Sequence, residues 1–317
     1  MFTDETFVGG VSSEGKNGMF AMKLHDTYND TSFRAIKSYF YFHNEIICLG
    51  SNIENDDRDY PTETTLFQSC MSDKMMAVWI NGELVKDFPY SQNGEAGKPF
   101  SIMDPYGNGY IIPKAEDVRV TTCEQESRDA SNQGATKGVY STCWIDHGRA
   151  PEAGEYEYVM LVQSAPEDVE ACGKTPRYRV LQKDRHAHIL EHVQHNTMAY
   201  AIFQVDRAIS HGIIRKTSAP VMAMVRKKGD EIIFSLADAD LRLPKRKSLG
   251  HLDEEALAAE SKMQKVCVHL HGQWKMKASP NEVRVKELHS NTTVVEFDCI
   301  DGKTIEVALL RSYCSKH

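Results

Sequence analysis

The stretch Lys37–Ile53, KSYFYFHNEIICLGSNI, followed after an acidic loop by Tyr60–Gln68, YPTETTLFQ, decides how the chain is read. Residues 38–42 and 46–49 are two short apolar runs joined by the polar turn His43-Asn44-Glu45, the pattern of a β-hairpin. Residues 64–68 read as a third strand. Outward from this centre the signals stay β. Met75–Ile80 is a strand, Asn81-Gly82 is a two-residue hairpin turn, and Glu83–Val85 returns. Residues 110–112 follow the glycine-rich turn 104–109. Residues 139–145 (VYSTCWI) and 154–162 (GEYEYVMLV) are two further strands, the second placing Tyr156, Tyr158, Met160 and Val162 on one face at period two.

Residues 163–175, QSAPEDVEACGKT, are polar and flanked by Pro176, and read as a linker. Strands resume at 178–181, 186–190, 198–203, 220–225 and 231–236. A basic turn and a short helix from Asp253 to Ser261 are expected within 244–263, with Asp253 as its cap. The last strands are 266–270, 282–287, 293–298 and 304–310, with Asp301-Gly302 as a hairpin turn. Helical periodicity is nearly absent. About a dozen and a half short strands with turn signals argue an all-β protein of packed antiparallel sheets. The expected division is a domain over 1–175, a linker near 163–176, and a domain over 176–317.

At 317 residues the chain is long enough for two domains. No apolar run reaches the ~18 residues of a membrane span. The N-terminus MFTDET lacks the basic-then-apolar order of a signal peptide. The eight cysteines form no C-x-x-C pair, so free thiols are expected rather than a zinc ribbon. Charge is uneven: residues 1–175 carry 14 Lys and Arg against 28 Asp and Glu, whereas residues 176–317 carry 23 against 17. A solvated surface is the ordinary account of such an imbalance. A basic half can also lie near an anionic polymer.

Several of these strings resemble the β-sheet part of polysaccharide lyase family 8, most of all the chondroitin sulfate ABC lyases. The resemblance runs in order through Phe2–His25 (FTDETFVGGVSSEGKNGMFAMKLH), Lys37–Ile53, Glu63–Gln68, Cys143–Gly148 (CWIDHG), residues 154–162, and RYRVLQKDRHAHIL from Arg177. It implies an antiparallel supersandwich of the galactose-mutarotase kind, N-terminally incomplete over 1–175, and then a smaller C-terminal β-sandwich. It also implies a parent enzyme cleaving chondroitin, dermatan or hyaluronan by β-elimination, secreted or periplasmic. Such chemistry needs a base, an acid and a group that neutralises the uronate carboxylate in one cleft. In the family these stand on an α-helical toroid, with a Glu just after it, and none falls on a position here. The implied partners are an acidic polysaccharide and that toroid, with neither nucleic acid nor membrane among them. No cofactor is implied, and a divalent cation is left open. The competing reading is a free-standing carbohydrate-binding β-protein without catalysis. A sugar-epimerising enzyme of the same supersandwich shape would need a His and a carboxylate that spacing does not locate.

His186, His188, His192 and His195 invite a metal reading, but HAHIL is a strand and no Cys joins at a zinc spacing; a core or surface histidine group is expected. His269 and His271 share one strand face and read the same way. Residues 54–59, ENDDRD, offer oxygens for calcium without the D-x-D-x-D-G frame, and read as a solvated loop. Glu63 has no matched partner in sequence. Trp79 and Trp144 alternate with apolar neighbours and are expected in the core. Trp274, among lysines in HGQWKMK, is the expected carbohydrate contact.

Overall fold

The structure is a computed structural model that describes residues 3–71, 77–240, 242, 261–278, 280–289 and 291–312. The expected basic turn and helix within 244–263 lie, apart from 261–263, outside the described residues, as does Cys314. Among the described residues the elements are 24 strands and one short helix, so the all-β, antiparallel expectation holds. No helix is long and apolar enough to cross a membrane. The other seven cysteines are free thiols, and burial pushes those of Cys143 and Cys299 up to about 12.

The chain forms two compact units. The first comprises Met1–His43, Gly50–Asn52 and Arg177–His317; the second comprises Asn44–Leu49 and Ile53–Pro176. The first opens with β1 (Val8–Ser13), β2 (Asn17–His25) and β3 (Arg34–Phe42), paired antiparallel in sequence. β3 ends at Phe42, His43 adopts a φ of 56°, and β4 (Glu45–Glu54) follows, so the expected hairpin is present with a tighter turn than three residues. β4 contributes Gly50–Asn52 to the first unit and the rest to the second.

The second unit continues with β5 (Glu63–Cys70), β6 (Val78–Ile80), β7 (Glu83–Val85), β8 (Tyr90–Asn93), β9 (Phe100–Met103), β10 (Gly109–Ile112), β11 (Val118–Arg128), β12 (Ala135–Asp146), β13 (Gly154–Leu161) and the helix α1 (Pro166–Lys174). Strands run β5-β12-β11-β8 in one sheet and β13-β10-β9-β6-β7 in the other. Alternate residues Val118, Val120, Cys143 and Ile145 are buried. Phe67 meets Tyr110 of the facing sheet with ring centroids 5.0 Å apart. The expected Asn81-Gly82 turn is present, both residues at positive φ (50° and 85°), as this turn type requires.

The stretch expected as a linker is instead α1. Pro166 opens it, Glu167 and Asp168 lie in its first turn, Lys174 in its last, and Val169 and Cys172 bury one face. The helix lies so close to β10 that a Cβ at Gly109 would sit 2.2 Å from Val169 Cγ2. Gly109→Ala should therefore destabilise the second unit by about 1–3 kcal/mol, read as a lower urea midpoint. An unchanged midpoint would show that α1 is not held against β10.

The first unit resumes with β14 (Tyr178–Lys183), β15 (Ala187–His192), β16 (Thr197–Ile202), β17 (Ile214–Thr217), β18 (Val221–Lys228), β19 (Glu231–Ala237), β20 (Gln264–His271), β21 (Trp274–Met276), β22 (Val283–His289), β23 (Thr292–Cys299) and β24 (Ile305–Arg311). A seven-stranded sheet runs β14-β15-β16-β18-β19-β24-β21, and a four-stranded one runs β17-β20-β23-β22. One core lies between them, with Phe234 stacked on Phe297 at 5.5 Å.

The central strands of the larger sheet are buried at nearly every position: Val221–Val225 and Ile232–Ala237 show no polar-out alternation. Such runs belong to strands covered on both faces. The second cover comes from the N-terminal strands. Val8 N donates to Ala239 O at 3.0 Å, Phe7 packs edge-on against Phe203 with centroids at 5.2 Å, and Ser235 Oγ donates to Ser13 Oγ at 3.2 Å. At the rim, Glu14 pairs with Arg226 (2.7 Å) and with Lys228. This is why residues 1–43 group with residues 177–317, a division that differs from the one expected at 163–176.

Candidate functional site

The four clustered histidines do different things. His188, on β15, is fully buried, with Nδ1 2.7 Å from Ser38 Oγ on β3 and Nε2 2.9 Å from Ser51 Oγ on β4. A neutral imidazole has one N–H and one lone pair, so one serine accepts and the other donates. Phe203 packs edge-on against the ring at 5.1 Å. Burial, with a smaller contribution from Lys183, lowers its pKa to about 3, and the ring is uncharged at neutral pH. His192 is also buried and lies against Phe42 and His195, with centroids at 4.3 and 4.6 Å. His186 Nδ1 is 3.1 Å from Asp206 Oδ1. Among the described residues no three His, Cys, Asp or Glu side chains converge as a metal site.

The acidic loop 54–59 turns its oxygens onto its own backbone. Asn55 Oδ1 accepts from the N–H of Asp57, and Asp57 Oδ1 accepts from the N–H groups of Asp59 and Tyr60. It is stitched to residues 147–151: Asn55 N donates to Pro151 O, Thr62 N to Gly148 O, and Arg149 Nη1 to Arg58 O. Tyr60 stands at its tip, 73% exposed. Glu63 is exposed at the start of β5, across from Asp146, which is ion-paired with Arg119 at 2.8 Å.

The tryptophans reverse their expected order. Trp274 is only 8% exposed and belongs to the core between the two sheets of the first unit. Its indole N–H donates to His271 O at 2.8 Å, and its backbone N–H donates to Thr293 Oγ1 at 2.9 Å. That burial argues against a ring face offered to a sugar. Trp144 is half-buried on β12 across from Arg119. Trp79 lines a sizeable groove of the second unit, a cavity of about 470 Å³. Phe100, Ile102 and Val169 form its apolar floor, and Asn81, Lys98 and Lys174 its polar edge. Lys174, 2.5 Å from Glu170, holds that carboxyl below the ordinary range. An aromatic wall with a few polar groups at the rim is the general form of a small-ligand cleft, and its volume is in the usual range. The groove is assembled from β6, β9, β10 and α1, which sequence spacing does not connect.

The sequence profile of polysaccharide lyase family 8, super-sandwich domain, matches residues 2–172. The chain belongs to polysaccharide lyase family 8. The Trp79 groove lies inside the matched segment, whereas the four-stranded sheet with β17, β20, β22 and β23 lies beyond it. Over 98% of its length this family 8 chain is 36% identical to the chondroitin sulfate ABC exolyase of Bacteroides thetaiotaomicron, of which it covers 31%. It is 31% identical to the chondroitin sulfate ABC endolyase of Proteus vulgaris over 90% of the chain and 27% of that protein. The chain thus spans about a third of the length of the curated relatives it matches. Among solved structures, xanthan lyase of Paenibacillus superposes on the whole chain with a TM-score of 0.80 at 20% identity, covering 30% of that protein. The likeness is one of fold. The super-sandwich match ends at residue 172, and the sheets that follow are additional sandwich sheets, as expected.

Proposed function

We propose that this chain is the β-sheet portion of a glycosaminoglycan lyase acting by β-elimination on chondroitin-type polysaccharide, and that by itself it does not catalyse the reaction. The observation that carries this is the pairing of a family 8 match over residues 2–172 with coverage of only 31% of the exolyase relative. The resemblance puts the base, the acid and the carboxylate-neutralising group on a helical toroid, which is the proposed partner of these sheets. The burial of His188 supports the same reading for that residue: it is sealed between two serines, and a group without access to solvent or substrate cannot serve as a general base.

The test is absorbance of unsaturated uronate on mixing with chondroitin sulfate. The purified chain should give no signal above the buffer rate. The same chain joined in one polypeptide to the helical toroid of a chondroitin sulfate ABC lyase should give a steady one. Enzyme-dependent product from the isolated chain, surviving repurification, would overturn the non-catalytic part. A second reading, a carbohydrate-binding β-protein without catalysis, is favoured by the Trp79 groove. An inactive joined protein that still binds the glycan would favour it over the first.

A further inference from the structure

The outer face of the sheet β17-β20-β23-β22 carries charge that its core does not need. The inward residues Val266, Val268, Leu270, Val295 and Phe297 are fully buried. Residues at the alternate positions meet on the other face through the strand register: Lys216 opposite His269, Lys265 opposite Asp298, and Arg284 opposite Glu296. At the centre is Glu296, whose side chain is 9% exposed. Its Oε1 lies 3.2 Å from Arg284 Nη2, 3.4 Å from Lys286 Nζ and 3.7 Å from Lys265 Nζ. Arg284 Nη2 also donates to Asp298 Oδ1 at 2.5 Å. Burial raises the Glu296 carboxyl, and the hydrogen bonds from Arg284 and Lys286 outweigh it, so it stays ionised.

Two carboxylates thus meet three cations, and Lys216 is a fourth cation on the same face. The Arg284 guanidinium is taken up by both acids, but the two ammonium groups share one oxygen at long range and are 56% (Lys265) and 47% (Lys286) exposed. Lys216 is exposed and makes no ion pair among the described residues. An ammonium has three donors, and the single shared Glu296 oxygen can take at most one from each lysine. Lys265 and Lys286 come from the strands on either side of β23, and because both reach the same Glu296 oxygen their ammonium groups stand within about 7 Å of each other. The long sheet β11–β12 of the second unit shows the opposite balance, with Lys137 alone meeting Glu124 (2.6 Å) and Glu126 (3.2 Å).

We propose that this face is a docking surface for an acidic glycan, whose sulfate and carboxylate groups are received by Lys216, Lys265 and Lys286, with Glu296 holding the Lys265 and Lys286 ammonium groups in place. The choice of a glycan as occupant rests on the lyase reading above; the charge complementarity does not. The attraction is local, because exposed charges are screened beyond roughly 8–10 Å at physiological salt.

The experiment compares the affinity of the full chain for chondroitin sulfate, by calorimetry in low salt, across two variants of equal charge change. Lys216→Gln/Lys265→Gln/Lys286→Gln removes the cations of the face. Lys86→Gln/Lys114→Gln/Lys137→Gln removes three exposed lysines of the second unit that lie outside the Trp79 groove. Exposed ion contacts are individually weak and add up over three sites, so the first variant should bind about tenfold more weakly and the second less than about twofold. Circular dichroism should be unchanged in both. Equal losses in the two variants, full affinity in the first, or no binding by the parent chain would overturn the proposal, as would tighter binding of single-stranded DNA than of chondroitin sulfate. An inactive joined enzyme with the affinity pattern intact would refute the lyase reading and leave the face standing. An active joined enzyme with the pattern absent would do the reverse.

Discussion

Trp274→Ala should lower the unfolding free energy of the first unit by about 3–5 kcal/mol, the range for deleting a large aromatic side chain from a packed core. The indole is enclosed by the core between the seven- and four-stranded sheets. Its removal leaves a void, and it also frees the His271 carbonyl that accepts the indole N–H. β21 pairs with the edge of β24 through Trp274 opposite Arg311 and Met276 opposite Leu309, so the loss falls where the sheet has least to hold it. Urea unfolding followed by circular dichroism reads the change. Trp144→Ala, on a half-buried ring whose indole nitrogen has no hydrogen-bond partner, should cost less. Unchanged unfolding of Trp274→Ala together with lost glycan affinity would restore the surface-contact reading of this residue.

The second large effect is acid sensitivity of the same unit. His188 has a folded pKa of about 3 against an ordinary 6.5, because burial between Ser38, Ser51 and Phe203 disfavours the cation. Lys183 pushes in the same direction and Asp184 opposes it. In the unfolded chain the ring binds its proton near 6.5; in the folded chain it does not until far lower. The unfolded state therefore binds more protons throughout the window from about 6.5 to 3, and stability falls as pH falls. The slope is about 1.4 kcal/mol per pH unit, on the order of 3 kcal/mol lost by pH 4. Above pH 7 this contribution is fully present. Urea midpoints measured between pH 7.5 and 4 should decline in the parent chain and flatten in His188→Gln, which keeps a donor and an acceptor but does not titrate. Parallel slopes in the two proteins would remove His188 as the cause.

Much of the β architecture was legible because it is local. The 38–42/46–49 hairpin and the Asn81-Gly82 turn are written in runs of a few residues, and the structure has them. α1 was not legible: a nine-residue helix that buries only Val169 and Cys172 has too weak an apolar stripe to stand out from a polar connection. The grouping of residues 1–43 with 177–317 was hidden for another reason. Uninterrupted apolar runs such as Val221–Val225 announce a strand covered on both faces, but not which part of the chain supplies the second cover. Trp274 misled because its lysine neighbours at 275 and 277 are close in sequence, while the residues that bury it come from β20, β23 and β24. The Trp79 groove and the basic sheet face are likewise products of register, invisible to spacing along one strand.

The double covering of the seven-stranded sheet has a consequence for how the chain is made. β1–β3 leave the ribosome before any residue of the sheet they lie on has been synthesised. Until residues 177–237 emerge, Phe7, Val11 and Met19 have no finished surface to pack against. Closure of the first unit is thus a late, long-range event, of the kind that folds slowly and leaves strand edges exposed meanwhile. Residues 8–42 must therefore be sheltered until residues 177–237 have been translated.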